Sequence, residues 1–545
     1  MSAVPSQVIN ISPQHAGSQN SSSLVLKDLM ANELIFAVVG PAGSGTSWVA
    51  NALSEQAKKI KDGVEVHVIK GSTVIQDWAK QQSHTISCEN TLTRAESLQD
   101  AGDAIRKEDT AGVAVRLISA IRQHRRTSNA QLEDKGQSSD SKFRVYILDS
   151  LKHPAEVELL RRVYREAFCL VGVVCETEQR QKRLKNSKCQ DSTSKDIESF
   201  TARDEDAGTS YGQKVADTFH LADFFVDNTP ERFLDTEQIQ ENPLWDVNDQ
   251  LGRLFDILTH KKLNRPKLNE TGMFHAYGAQ LRSACLSRQV GAALIDRQGN
   301  LLSTGTNEVP RAGGGVYGSA LAGFDEDSDH DHRCAHTGRF CRNTKTGIEI
   351  MEELADAIPE LAKVDRTDLF KKLKKTSVGR LLEFSRAVHA EMDAILSAAR
   401  QGASPIGGRL FVTTFPCHYC ARHIVSAGLD EVQYIEPYPK SRALSLHGDA
   451  IVQSPDNWLA PSTPVSYSDG KKEKRAVLFR PFTGVAPRMY RRAFLKDRKL
   501  KDEMGKLKFG EPEWTSGLLR KSYKDIEDAL LGHGENDEQA HSDGT

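Results

Sequence analysis

Two short stretches carry residue types that could do chemistry together: His389-Ala390-Glu391 and, further along, Pro416-Cys417-His418-Tyr419-Cys420. One imidazole and two thiolates make three protein ligands for Zn²⁺ and leave the fourth tetrahedral position to water. The metal lowers that water's pKa and so supplies a nucleophile near neutral pH. Glu391, two residues after the first ligand, is placed to take the water's proton and pass it to a substrate. The competing reading is a closed zinc site that only staples the fold. Such a site needs a fourth protein ligand and leaves Glu391 without a role, while His418 points away from the metal in the usual geometry of this turn. Both halves of the pattern occur in order, which favours catalysis.

These side chains need elements to hold them. Ala387, Val388, Ala390, Ala394, Ile395 and Leu396 are spaced for a buried helix beginning near His389. The apolar run 409–415 predicts a strand that leads into Cys417, and a second helix follows through Ala427 with Gly428 as its stop. Thiols at a helix N-terminus ionise more readily, which favours metal binding. Upstream, the helical TGMFHAYGAQLRSAC precedes two strands, VGAALID and LLSTGTN, joined by an Arg297-Gln298-Gly299-Asn300 turn.

In this order the elements resemble the deoxycytidylate deaminases over about residues 265–440, and H-x-E…P-C-x-x-C is the pattern of zinc nucleobase deaminases generally. The resemblance implies zinc-dependent hydrolytic deamination of free deoxycytidine nucleotides, dCTP and/or dCMP, to deoxyuridine nucleotides. It implies His389, Cys417 and Cys420 as zinc ligands and Glu391 as the proton shuttle. It also implies that Asn307, in Gly305-Thr306-Asn307, holds the nucleotide's sugar, and that Arg288 and Gln289 lie near the substrate or its phosphate. Plainer alternatives exist: a strand-end residue capping its own backbone for Asn307, a solvated helix end for Arg288. Tyr438, Lys440 and Ser441 could reach a phosphate or simply be solvated.

The first half of the chain is punctuated differently. ELIFAVV (33–39) runs into Gly40-Pro41-Ala42-Gly43-Ser44-Gly45-Thr46-Ser47 and then a helix. This strand–loop–helix resembles a P-loop, GxxxxGK[ST], whose backbone N–H groups cradle phosphates. Thr46 stands where the P-loop lysine belongs, so the expectation is nucleotide binding without efficient turnover. Turnover would need another cation, from Arg180 or Arg183. A glycine-rich turn kept for packing is the alternative. Strands at 64–70, 143–149, 169–176 and 222–228 alternate with helical segments at 109–123 and TEQRQKRL, as in a doubly wound domain. Asp149 ends its strand at a Walker-B-like place for a Mg²⁺-linked carboxylate, or is merely an acidic strand terminus. A polar loop is expected over 127–142, and the polar stretch 186–208 sits where nucleoside monophosphate kinases carry a lid. This domain joined to a deaminase-like one resembles bacterial antiphage deoxycytidine-nucleotide deaminases, which deplete dCTP and dCMP during infection.

The 545 residues suffice for two or three domains. A net charge of -2 removes the global basic field of a non-specific nucleic-acid binder. Nine irregularly spaced cysteines argue for a reducing compartment. With no signal-peptide pattern or membrane-length apolar run, a cytoplasmic protein without a membrane partner is expected. The expected class is α/β: a disordered tail (1–30), an N-terminal P-loop NTPase-like doubly wound domain (31–235), a connection (236–265), a C-terminal cytidine-deaminase-like α/β/α domain (266–500) and an extension (501–545) with a disordered end. Zn²⁺ is the expected cofactor, with a nucleoside triphosphate in the 40–47 loop as a second ligand. A homo-oligomer, dimer or hexamer, acting on a small nucleotide is expected, and a regulatory nucleic acid or protein partner stays open.

Further clusters have two readings each. His330, His332, Cys334, His336 and Cys341 permit a second zinc but match no standard spacing, and a polar acidic loop is the plainer reading. The helical run 348–362 and basic run 369–380 complete a long insert whose charge would attract a polyphosphate or be solvated. Arg488, Arg491 and Arg492 beside Tyr490 and Phe494 suit a nucleotide, single-stranded nucleic acid or an oligomer interface. Two other functions compete with free-nucleotide deamination: a polynucleotide deaminase that flips a base from single-stranded DNA or RNA, and an inactive zinc-stapled nucleotide sensor. Near-neutral charge argues against the first, and the intact Glu391 against the second.

Overall fold

The computed structural model describes residues 31–87, 92–133, 142–187, 193–235, 240–318, 333–335, 340–381, 384–438, 441–464, 474–496 and 499–508. The expectations for 1–30, for His330, His332, His336 and Lys440, and for the end of the chain lie outside the described residues.

Five strands, β1 (Glu33–Val39), β2 (Glu65–Lys70), β3 (Arg144–Asp149), β4 (Phe168–Val174) and β5 (Phe224–Asp227), pair in parallel in the order β5-β4-β1-β3-β2. Their apolar runs are continuous because both faces are covered. Side chains alternate between the faces. Leu34, Phe36 and Val38 enter one core with Val145 and Ile147, whereas Ile35, Ala37 and Val39 enter the other with Tyr146 and Leu148. Helix Thr46–Lys58 covers the first face together with helix Val247–Leu258. The latter presents Leu251, Leu254, Phe255 and Leu258 at helical spacing, with the Phe255 ring 5.0 Å from Phe36. So the helix expected in a connection is a layer of this sheet.

Helix Gly112–Glu133 covers the other face through Val113, Leu117, Ile118 and Ile121. It extends into the stretch expected as a polar loop from 127. The reason is polar anchoring: Arg125 donates to both Glu33 oxygens, at 2.9 and 2.8 Å, and Ser128 donates to Glu65 at 2.6 Å.

The second sheet contains β6 (Gly291–Ile295), β7 (Leu301–Thr306), β8 (Arg409–Thr414), β9 (Glu431–Glu436), β10 (Ile451–Val452) and β11 (Val477–Pro481), in the order β10-β11-β9-β8-β6-β7. β6 and β7 form the expected hairpin, whose turn uses Gly299 at φ 95. β6 meets β8 antiparallel, and β8, β9, β11 and β10 run parallel. Helix Ala390–Arg400 lies close on the hairpin through Ala390, Ala394 and Ala398. A β-carbon at Gly305 would land on the Ala390 carbonyl and the Ala394 amide. Gly305→Ala is therefore expected to cost about 1–3 kcal/mol or more, read as a lower Tm and weaker metal retention. Gly347, with nothing near its β position, is the control, and an unchanged Tm in Gly305→Ala would contradict the close seating.

One segment ties the sheets together. After β11 the chain forms β12 (Gly484–Val485), which pairs antiparallel with β5 as a sixth strand of the first sheet. The sequence reading closed that sheet at 222–228, because two residues of distant edge strand leave no periodic signal. The fully buried Glu270 accepts from Val485 N at 2.8 Å, Lys267 N at 2.7 Å and the Arg253 guanidinium at 2.6 and 2.8 Å. No helix among the described residues is long and apolar enough to cross a membrane.

Candidate active site

His389 is the residue just before helix Ala390–Arg400, and Cys417 the residue just before helix His418–Ser426, with Cys420 in its first turn. β8 carries the chain to Cys417 alongside the hairpin on which the first helix rests, so the two helix N-termini meet. His389 Nδ1 lies 3.3 Å from each thiol sulfur, and the three ligand atoms fall within 4.8 Å of one another. Tetrahedral Zn²⁺ with bonds of about 2.0–2.1 Å to nitrogen and about 2.3 Å to sulfur places such atoms about 3.5 Å apart. The residues present fit that ion. Among the described residues, His418 takes no part, and its buried Nδ1 has no hydrogen-bond partner.

Taken by themselves, the His389 imidazole and the Cys417 thiol behave as an ion pair. The hydrogen bond from Cys420, with His389 beside it, pulls the Cys417 thiol down to about 4. The bond to Cys417, then the charge of Glu391, raises His389 to about 9. Burial pushes Cys420 up. A bound cation thus displaces protons from His389 and Cys420. Glu391, 4% exposed, is raised to about 7 by burial and then by the Cys417 thiolate. A carboxyl that exchanges its proton near neutrality is what general acid–base chemistry needs.

His389, Glu391 and Cys417 line a cavity of about 320 Å³, together with Val290 and Phe415 as apolar wall. Arg288 lines it too, 44% exposed, ion-paired with Glu436 at 3.1 Å, with Tyr438 beside its guanidinium. Gln289 is not among the lining residues. Its side chain donates instead to the Ser283 carbonyl at 2.7 Å. Asn307 lines the cavity, but its amide holds the backbone of 288–290, donating to Arg288 O at 2.6 Å and accepting from Val290 N at 2.7 Å. Ser441 donates to Pro416 O.

At the end of β1, Gly43 and Gly45 take φ of 83 and 84, a region glycine enters without strain. A β-carbon on Gly40 would meet the Ser44 hydroxyl. Thr46 opens the helix, and Ser47 donates to Asp149 at 2.6 Å, so the loop and the end of β3 are joined. Neither arginine named as a substitute cation is unoccupied. Arg183 donates to the carbonyls of Asn228, Thr229 and Pro230, and Arg180 to Glu205.

Several cavity residues escaped the sequence reading. Arg342 and Asn343 bring the N-terminus of helix Arg342–Ala357 to the cavity, whereas the sequence placed a helical run only from 348. Arg386 and Glu308 line it as well, as do Cys334 and Cys341, which the sequence offered as candidate ligands of a second zinc. Arg386 and Glu308 were within reach, each beside a residue already singled out. Arg342 sits in an insert whose fold-back no local pattern announces.

A family model described as the cytidine and deoxycytidylate deaminase zinc-binding region matches residues 266–436. The deoxycytidylate deaminase of Enterobacteria phage T4 is 32% identical over 168 residues, which make up 31% of this chain and 77% of that protein. Its counterpart from Enterobacteria phage T2 is likewise 32% identical over 168 residues, covering 31% and 79%. The crystal structure of dCMP deaminase from the cyanophage S-TIM5 in complex with dCMP and dUMP matches at 21% identity with a TM-score of 0.21, covering 34% of this chain and 91% of that one.

Proposed function

The chain belongs to the deoxycytidylate deaminase family, and from that premise we propose that it hydrolyses the exocyclic C–N bond of free deoxycytidine nucleotides, dCTP and dCMP, to deoxyuridine nucleotides and ammonia. The observation that carries this reading is a single cavity joining His389, Cys417 and Glu391 to three arginines, Arg288, Arg342 and Arg386. His389, Cys417 and Cys420 hold Zn²⁺, which when bound acidifies water and acts as a Lewis acid. Glu391 accepts one proton of the attacking water and delivers it to the ring nitrogen, then takes the remaining proton from the added hydroxyl and passes it to the amine as the C–N bond breaks and the carbonyl forms. Val290 and Phe415 wall the base from solvent, and Asn307 holds the 288–290 segment that presents Arg288.

The arginines meet the phosphates, aided by the N–H groups at the start of helix Arg342–Ala357. An Arg342→Ala/Arg386→Ala variant is expected to raise KM for dCTP by about tenfold or more, and for dCMP by less. Equal changes for the two nucleotides would show that these side chains do not sense the outer phosphates.

The 40–47 loop, with Ser47 and Asp149, forms a second site for a nucleoside triphosphate, which is bound without efficient turnover because Thr46 offers no charge. In a cell infected by phage, the deaminase activity depletes deoxycytidine nucleotides, a reading supported by the joining of these two units in one chain. Purified zinc-loaded protein incubated with dCMP, dCTP, CTP and cytosine-bearing oligonucleotides tests the reaction. Deoxyuridine nucleotides are the expected products. Deamination of the oligonucleotides alone would replace this reading with that of a polynucleotide deaminase.

A further inference from the structure

The 40–47 loop lacks a lysine, yet a cation and an anion sit beside it. The Asp204 carboxylate accepts from Ala42 N at 2.8 Å with one oxygen and from Lys152 Nζ at 2.9 Å with the other. We propose that Lys152 is the loop's missing phosphate-binding cation, and that Asp204 holds the place of a ligand's terminal phosphate until a nucleotide displaces it. This deepens the reading of the loop as a nucleoside triphosphate site and rests on it.

Four observations converge. Lys152 follows Asp149 by three residues, at the edge formed by the C-terminal ends of the strands, where open α/β sheets bind ligands. Its backbone is fixed, with N donating to Glu156 at 2.9 Å and O accepting from Lys214, so the ammonium is anchored beside the loop. Asp204 lies in the last turn of helix Ser194–Glu205, where the helix dipole disfavours a carboxylate. Its side chain is only 3% exposed, so it stays there because Lys152 and the Ala42 N–H compensate it. Finally, the Ser44 hydroxyl is fully buried against Gly40 within the loop and has no hydrogen-bond partner. A carboxylate has two oxygens, and both are used on Ala42 and Lys152. A terminal phosphate has three, carries more charge, and can serve the same two donors with an oxygen to spare for a further donor such as Ser44.

The site is then closed by an internal anion and opened by competition. Removing Asp204 empties the anion position and leaves Lys152 unpaired, which strengthens phosphate binding. Removing Lys152 weakens it. If Asp204 instead served the bound nucleotide, for instance through its metal ion, its removal would weaken binding.

Full-length protein is titrated with Mg²⁺-ATP, Mg²⁺-GTP and Mg²⁺-dTTP by calorimetry, nucleotides that carry no cytosine for the deaminase cavity. Asp204→Ala is expected to tighten binding by about tenfold or more, and Lys152→Met to weaken it by a similar factor. Lys152→Arg, which keeps the charge, should recover most of the loss and guards against a merely misfolded Lys152→Met. Ser47→Ala reports on the loop alone. If nucleotides bind the parent and binding falls in Ser47→Ala, but Asp204→Ala is unchanged or weaker, the place-holder inference is overturned while the loop reading stands. If no nucleotide binds either the parent or Asp204→Ala, the loop reading fails and this inference fails with it.

Discussion

Glu391→Ala is expected to keep zinc, keep the fold and lose about 10²–10⁴-fold in deamination rate. The side chain is not one of the three metal ligands, so its removal leaves the ligand set whole. It is buried, with its carboxyl raised to about 7, and it stands on the first helical turn beside His389, on the same cavity as Cys417. Truncation leaves a small void on a short polar side chain, not a deleted apolar anchor, so the cost in stability is modest beside the cost in rate. Glu391→Gln, which preserves volume but cannot take a proton, should lose as much activity as Glu391→Ala. Rates on dCMP and dCTP, zinc by elemental analysis and Tm form the readout. A zinc-loaded Glu391→Gln protein that works within a few-fold of the parent would defeat the assignment of the proton shuttle.

Cys417→Ala/Cys420→Ala has the second large expected effect, and it falls on both stability and activity. One zinc per chain is expected in the parent and none in the double variant. Structural zinc binding by such ligand sets is worth on the order of 10 kcal/mol in apparent free energy. Here the ligands sit at the facing N-termini of helices Ala390–Arg400 and His418–Ser426, so their loss also unpins those helices from each other. Unchanged zinc content in the variant would move the metal elsewhere in the chain. A parent content of two zincs per chain, reduced to one, would point to a second site at 330–341.

Much of the chemistry was legible because it is local. A His with Glu two residues on, and two Cys three apart after a proline, specify ligand and proton-carrier types within single turns of chain. The strands at 33–39, 143–149 and 169–176 were readable because two-sided burial writes an unbroken apolar run. The hairpin 291–306 was readable from its polar turn. The glycines of the 40–47 loop announce a left-handed backbone that only a few contexts require.

Tertiary structure decided what depends on segments far apart in the chain. It set the 3.3 Å approach of His389 to the two thiols, because only β8, pairing antiparallel with β6, returns the chain to that helix. It raised Glu391 toward neutrality, since burial is a property of everything packed around a residue. It turned Arg288 into the cavity and tied Gln289 to the Ser283 carbonyl instead. It brought Arg342 from the insert to the cavity and Gly484–Val485 from the second sheet to the edge of the first. It also set Lys152 and Asp204, fifty-two residues apart, beside the 40–47 loop. The sequence by itself determined which reactive groups the chain owns, since residue type and short spacing survive in any conformation. Which of them face one another was decided by topology, because strand order and edge pairing draw on contacts that no local window contains.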